Sequence, residues 1–148
     1  MSEIRLFYRE NNRLKISKNI DLLKEIPLEN FVWIDLNDVP EDAETELEQF
    51  LKIYIQEEEE MEEIEISSRY METEDTLVAN SRFLLDNFEE EPISFIVKNH
   101  ILVSVRSQEL RSFNETVKKM FANPRNYPNG FYILVALLET RVEYDADM

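Results

Sequence analysis

Phe31-Val32-Trp33-Ile34-Asp35-Leu36 is a dense run of aromatic and β-branched residues, bounded by Pro27 before it and by Asn37, Asp38 and Pro40 after it. A run this apolar, without polar alternation, predicts a strand buried on both faces, and so a central strand with cover above and below. After Pro40, apolar residues at Ala43, Leu47, Phe50, Leu51 and Tyr54 keep the spacing of a single helical stripe. A helix packed on the sheet is the expectation there.

Upstream, Ile4-Arg5-Leu6-Phe7-Tyr8 and Leu14-Lys15-Ile16 flank the polar stretch Arg9 to Arg13 and predict a first hairpin or a pair of short strands. Downstream, seven glutamates crowd the nine residues from Glu57 to Glu65, interrupted by Met61 and Ile64. With so thin an apolar stripe, Gln56 to Ile66 reads as a surface helix or a partly frayed one. Ser68 to Glu72 and Leu77 to Leu85, around the polar turn Thr73-Glu74-Asp75-Thr76, predict an antiparallel hairpin. Ile93, Phe95 and Val97 alternate with Ser94, Ile96 and Lys98, and Asn99-His100 turns the chain into Leu102-Val103-Ser104-Val105-Arg106, a second hairpin.

Leu110, Phe113, Val117, Met120 and Phe121 form another helical stripe, closed by Asn123-Pro124 because the residue before a proline disfavours helical dihedrals. A loop leads to Asn129-Gly130, where a last helical pattern (Leu134, Leu138, Val142) begins and runs to Met148 without a capping glycine or proline. That pattern implies a helix that continues in a longer polypeptide. The fold class expected is therefore α/β (α+β), one αβα domain over residues 1–148: a mixed, largely antiparallel sheet between helices on both faces.

The 148 residues are 43% apolar, enough for one domain to bury its own core. Thirty-two acidic against sixteen basic residues leave a net charge of −16, which repels phosphate backbones and anionic lipid at long range. Nucleic acid is not an expected partner. The same field attracts cations, although surplus surface carboxylates also serve solubility.

With no cysteine and one histidine, His100, neither a thiolate zinc site nor a multi-histidine site can be assembled in one chain. A bound metal would have to accept hard oxygen ligands, which points to magnesium or calcium. The longest apolar run, Phe131 to Leu138, has eight residues, far short of the roughly 20 that span a bilayer. One glycine cannot build a phosphate-cradling loop. Ser67, Ser68 and Ser104 lie in no nucleophile-elbow sequence, and His100 reads as a turn residue rather than a base. No enzyme is expected.

Val32-Trp33-Ile34-Asp35-Leu36, followed by the stretch Glu62-Glu63-Ile64-Glu65-Ile66-Ser67-Ser68-Arg69-Tyr70-Met71-Glu72, resembles the CorA magnesium transporters. That family has a W-I-D-L type strand, a helix, an acidic pair, an isoleucine, a short polar linker and an arginine-aromatic segment in this order. The Ile93 to Arg106 hairpin and Leu137-Leu138-Glu139-Thr140-Arg141-Val142-Glu143, similar to the start of the family's stalk helix, agree with it. The similarity runs from about Phe31 to Met148, the first thirty residues being only compatible.

The resemblance implies the cytoplasmic domain of a homopentameric divalent-cation channel for magnesium or cobalt, at the inner face of the membrane. Stalk and membrane helices, with a Gly-Met-Asn signature, would lie beyond Met148, leaving these residues a soluble fragment that is mainly monomeric alone. It also implies a regulatory metal site between subunits, with the acidic pair falling on Glu62 and Glu63 and a partner carboxylate on the neighbour's stalk. Glutamate at both positions departs from the family's frequent aspartate. A stand-alone acidic interaction module without transport is the alternative.

Overall fold

The computed structural model describes residues 3–53, 55, 70–72, 76–84 and 89–147. Its centre is the decisive run: Phe31–Asn37 is a strand with all seven residues buried. In chain order the strands are β1 (Glu3–Glu10), β2 (Arg13–Ser17), β3 (Phe31–Asn37), β4 (Tyr70–Glu72), β5 (Thr76–Leu84), β6 (Glu90–Lys98) and β7 (Ile101–Arg106). They form one seven-stranded sheet in the order β2-β1-β3-β7-β6-β5-β4. β3 and β7 run parallel, and every other neighbouring pair is antiparallel. The mixed, largely antiparallel sheet is as expected.

Because successive strand side chains face opposite ways, β3 feeds two cores. Ile34 and Leu36, with Leu6, Ile96 and Val103, pack against Leu47 and Leu51 of α1 (Glu41–Leu51) and against Leu23. Trp33, with Phe7, Phe95 and Leu102, packs against Phe113 and Met120 of α2 (Arg111–Ala122) and Ile133 and Leu137 of α3 (Gly130–Asp147). Helices therefore cover both faces. Each fully buried leucine or phenylalanine here contributes roughly 1.5–3 kcal/mol through area removed from water.

A chain with one glycine must make its left-handed turns with other residues. Asn11 and Asn12 join β1 to β2, and Asn99 and His100 join β6 to β7, all four with φ between 51° and 68°. Positive φ at both central residues matches the right-handed strand twist, so these two-residue turns fix the register Glu10↔Arg13 and Lys98↔Ile101. Lys52, at φ 57°, ends α1 in the same conformation, and its carbonyl accepts from Lys98 Nζ at 2.8 Å.

Several sequence expectations shift. Phe121 is half exposed rather than part of the buried stripe of α2. Among residues 130–140 of α3 the buried ones are Gly130, Ile133, Leu134, Ala136, Leu137 and Thr140, with Leu138 partly buried against the same core, so Leu134 and Leu138 pack as expected within a broader apolar face, and the side chain of Val142 lies outside the described ones. Thr76 begins β5 instead of closing the turn before it. Of the expected strand Ser68 to Glu72, residues 70–72 form β4, and the acidic segment 56–66 lies outside the described residues.

Candidate functional site

The two segments that define the motif reading, the Trp-Ile-Asp-Leu strand and the hairpin ending in arginine, meet inside the protein. Asp35 of β3 is fully buried, and its neighbours in register are Arg5 on β1 and Ser104 on β7. Arg5 donates to Asp35 Oδ2 from Nε at 3.1 Å and from Nη2 at 2.8 Å. Arg106 donates from Nε to Oδ1 at 3.1 Å and from Nη2 to Oδ2 at 2.7 Å. Ser104 Oγ donates to Oδ1 at 2.8 Å and accepts from Trp33 Nε1 at 2.8 Å.

Burial opposes ionisation of Asp35, but the hydrogen bonds and positive charge of Arg106, then of Arg5, outweigh it and hold the carboxyl below its usual range. Burial likewise opposes the charge on Arg106, and Asp35 more than restores it. Aromatic faces complete the enclosure. The Arg5 guanidinium lies 5.6 Å from the Phe7 ring centroid, and that of Arg106 lies 4.7 Å from Phe113. Phe7 in turn stacks on Trp33 with centroids 4.6 Å apart.

With five donors on its two oxygens, Asp35 has no free lone pair directed at a metal or a substrate. Ser104 is equally committed and fully buried, so it cannot serve as a nucleophile. The cluster is a polar tie across β1, β3 and β7. One more contact extends it: Arg106 Nη1 donates to the Gln108 carbonyl at 2.6 Å, fixing the chain as it enters α2.

His100 sits exposed in its turn, and its carbonyl accepts from Gly130 N at 2.7 Å. This matches its reading as a turn residue. Glu62 and Glu63, the expected metal pair, lie outside the described residues, as do Ser67 and Ser68. Among the described residues no group of three or more His, Asp or Glu side chains is arranged to hold a metal ion. Also among them, no helix is long and apolar enough to cross a membrane.

Sequence reading missed the role of Arg5. Its signal was present: Arg5 between Ile4 and Leu6, and Asp35 between Ile34 and Leu36, are opposite charges set in runs that must be buried.

The family model of the CorA-like Mg2+ transporter protein matches residues 29–144, a span that includes Asp35, Ser104 and Arg106. The chain belongs to the CorA-like Mg2+ transporter family. It is 38% identical over 128 residues to the magnesium transport protein CorA of Wolinella succinogenes, covering 80% of this chain and 40% of that protein. With the Campylobacter jejuni (strain RM1221) CorA it shares 34% identity over 158 aligned positions, covering 97% of this chain and 47% of the relative. The chain thus spans less than half the length of these curated CorA relatives. In fold it is similar to the soluble domain of CorA from Methanocaldococcus jannaschii, with a TM-score of 0.64 at 16% identity, covering 95% of this chain and 56% of that one. The full-length CmaX protein shares the fold with a TM-score of 0.68 at 9% identity.

Proposed function

We propose that this chain is the soluble, cytoplasmic regulatory part of a divalent-cation transporter of the CorA family, with magnesium or cobalt as cargo. The observation that carries the reading is the family match over residues 29–144, supported by relatives named as magnesium transport proteins at 34–38% identity. The buried Arg5-Asp35-Arg106 tie joins β1, β3 and β7 at the centre of the sheet that carries this matched span.

In this proposal Glu62 and Glu63 supply hard oxygen ligands to a regulatory magnesium ion at a boundary between subunits of a homopentamer. Such donors suit magnesium, which keeps several of its waters and binds through one or two carboxylates. Opposed carboxylates about 6 Å apart repel by roughly 3 kcal/mol at an effective dielectric near 20. A bridging dication reverses that sign. High internal magnesium then draws the subunits together and closes the pore, and ion depletion lets them splay.

The test is growth of a bacterial strain that lacks its own magnesium uptake, carrying the full-length polypeptide that contains this chain. Growth on low magnesium is the expected result. Failure to support growth, with the protein present in the membrane, would remove the transport reading and leave an acidic interaction module.

A further inference from the structure

Asn129-Gly130 is the one place in the chain where an asparagine precedes a residue without a Cβ, since Gly130 is the single glycine. That pairing carries a chemistry of its own. The backbone nitrogen of residue 130 can attack the side-chain amide carbon of Asn129, a step that a Cβ on the attacking residue hinders in other sequences. The new C–N bond closes a succinimide ring, and the side-chain amide leaves as ammonia with the proton that the backbone nitrogen gives up. Water then opens the ring at one of its two carbonyls and leaves aspartate or isoaspartate. No other reactant is needed.

Both reacting groups are held in the fold. Asn129 caps α3, its Oδ1 accepting from Phe131 N at 3.0 Å and from Tyr132 N at 3.3 Å. Gly130 N donates to the His100 carbonyl at 2.7 Å, and that acceptor cannot take its proton away. Gly130 is buried against β7 with no space beside it, since even a Cβ would stand 2.2 Å from Leu102 N. Ring closure requires the planar peptide unit between residues 129 and 130 to turn, and turning it breaks the bond to His100. The reaction therefore needs α3 to lift from the β6–β7 turn.

We infer that Asn129-Gly130 is a latent deamidation site, kept shut by the seating of α3 on the β6–β7 turn and exposed to modification by local opening of the first turn of α3. Openings of this kind, short of global unfolding, occur in folded proteins. The two products then differ in what they permit. Aspartate at position 129 can cap the same two amides, and its charge suits a helix N-terminus. Isoaspartate adds a methylene to the main chain and displaces Gly130 from a place that has no room, so the bond to His100 cannot be restored. A molecule that isomerises while open does not close again as before.

The 148-residue chain, incubated at mildly alkaline pH in buffer and in urea above its unfolding transition, tests this by peptide mapping of aspartate and isoaspartate at position 129. In urea Asn129 should convert faster than any other asparagine, and in buffer at least tenfold more slowly than in urea. Two mild core variants locate the opening. Ile133→Val loosens α3 on its sheet, and Ile34→Val loosens the core on the opposite face by a similar methyl group. In buffer, Ile133→Val should raise the conversion rate severalfold, and Ile34→Val should leave it unchanged. Equal rates for the wild type in buffer and in urea would overturn the inference. Equal acceleration by both variants would assign the reaction to global unfolding, and no acceleration by Ile133→Val would detach it from α3, so either result overturns it as well.

Discussion

Arg106 clasps both carboxylate oxygens of Asp35 across the parallel pair β3 and β7, with Nε at 3.1 Å from Oδ1 and Nη2 at 2.7 Å from Oδ2. Since both side chains are buried, the charges answer each other and not water. Removing one partner leaves a buried charge uncompensated, which costs far more than the net worth of the pair. Asp35→Asn should destabilise the domain by about 3–5 kcal/mol. Urea unfolding followed by the fluorescence of Trp33, the chain's single tryptophan, measures it. A loss below about 1 kcal/mol would mean that the two guanidiniums find other partners.

The same carboxyl sets an acid limit on stability. Its folded pKa lies below the ordinary aspartate value because Arg106 and Arg5 together outweigh the cost of burial. A depressed folded pKa gives stability that is fully present above the unfolded value, about 3.9, and is lost as pH falls through the folded one. The stability gap between wild type and Asp35→Asn should therefore be constant from pH 7 to about 5 and shrink below pH 4. A gap unchanged at pH 3 would contradict the assignment.

Most of the architecture was legible in the sequence because the elements announce themselves by period and punctuation. The unbroken run Phe31–Leu36 gave the central strand, and Asn99-His100 between two apolar runs gave a two-residue turn. The strand order was not legible, since nothing local says that β7 pairs in parallel with β3. The polar tie was half legible: Asp35 and Arg106 stood in the motifs, but Arg5 lies in the first thirty residues, where the family resemblance is weak. The full width of the buried face of α3 was not legible for a physical reason. Residues 131–138 are apolar on all sides of the helix and carry no preferred face in the sequence, so packing in the cluster with Leu102 and Phe113 decides which side turns inward.

Gly130 opens α3 against the start of β7. A Cβ there would stand 2.2 Å from Leu102 N and 2.7 Å from the Ile101 carbonyl carbon, both backbone atoms that cannot swing aside. Gly130→Ala should lower stability by about 1–3 kcal/mol despite alanine's better helix propensity. Thermal unfolding measures this, and an unchanged or raised midpoint would show that α3 can shift outward without cost.

His100 holds φ at 68°, a left-handed conformation that suits glycine better than any residue with a Cβ. Asn followed by glycine is the preferred pair for this turn. His100→Gly should raise stability by about 0.5–1 kcal/mol, because the carbonyl that receives Gly130 N is kept. A higher urea midpoint with unchanged slope is the expected result. A loss of stability would show that the imidazole contributes more than the strain costs.

If Glu62 and Glu63 hold the regulatory ion, as proposed, this domain governs magnesium passage through the full-length polypeptide. Magnesium flux through the full-length polypeptide in proteoliposomes, measured while ion is raised on the side that faces this domain, tests it most directly. Wild type should be inhibited as that ion reaches millimolar levels, and a Glu62→Gln, Glu63→Gln double variant should keep conducting at levels that shut the wild type. Inhibition that is identical in the two proteins would contradict the claim.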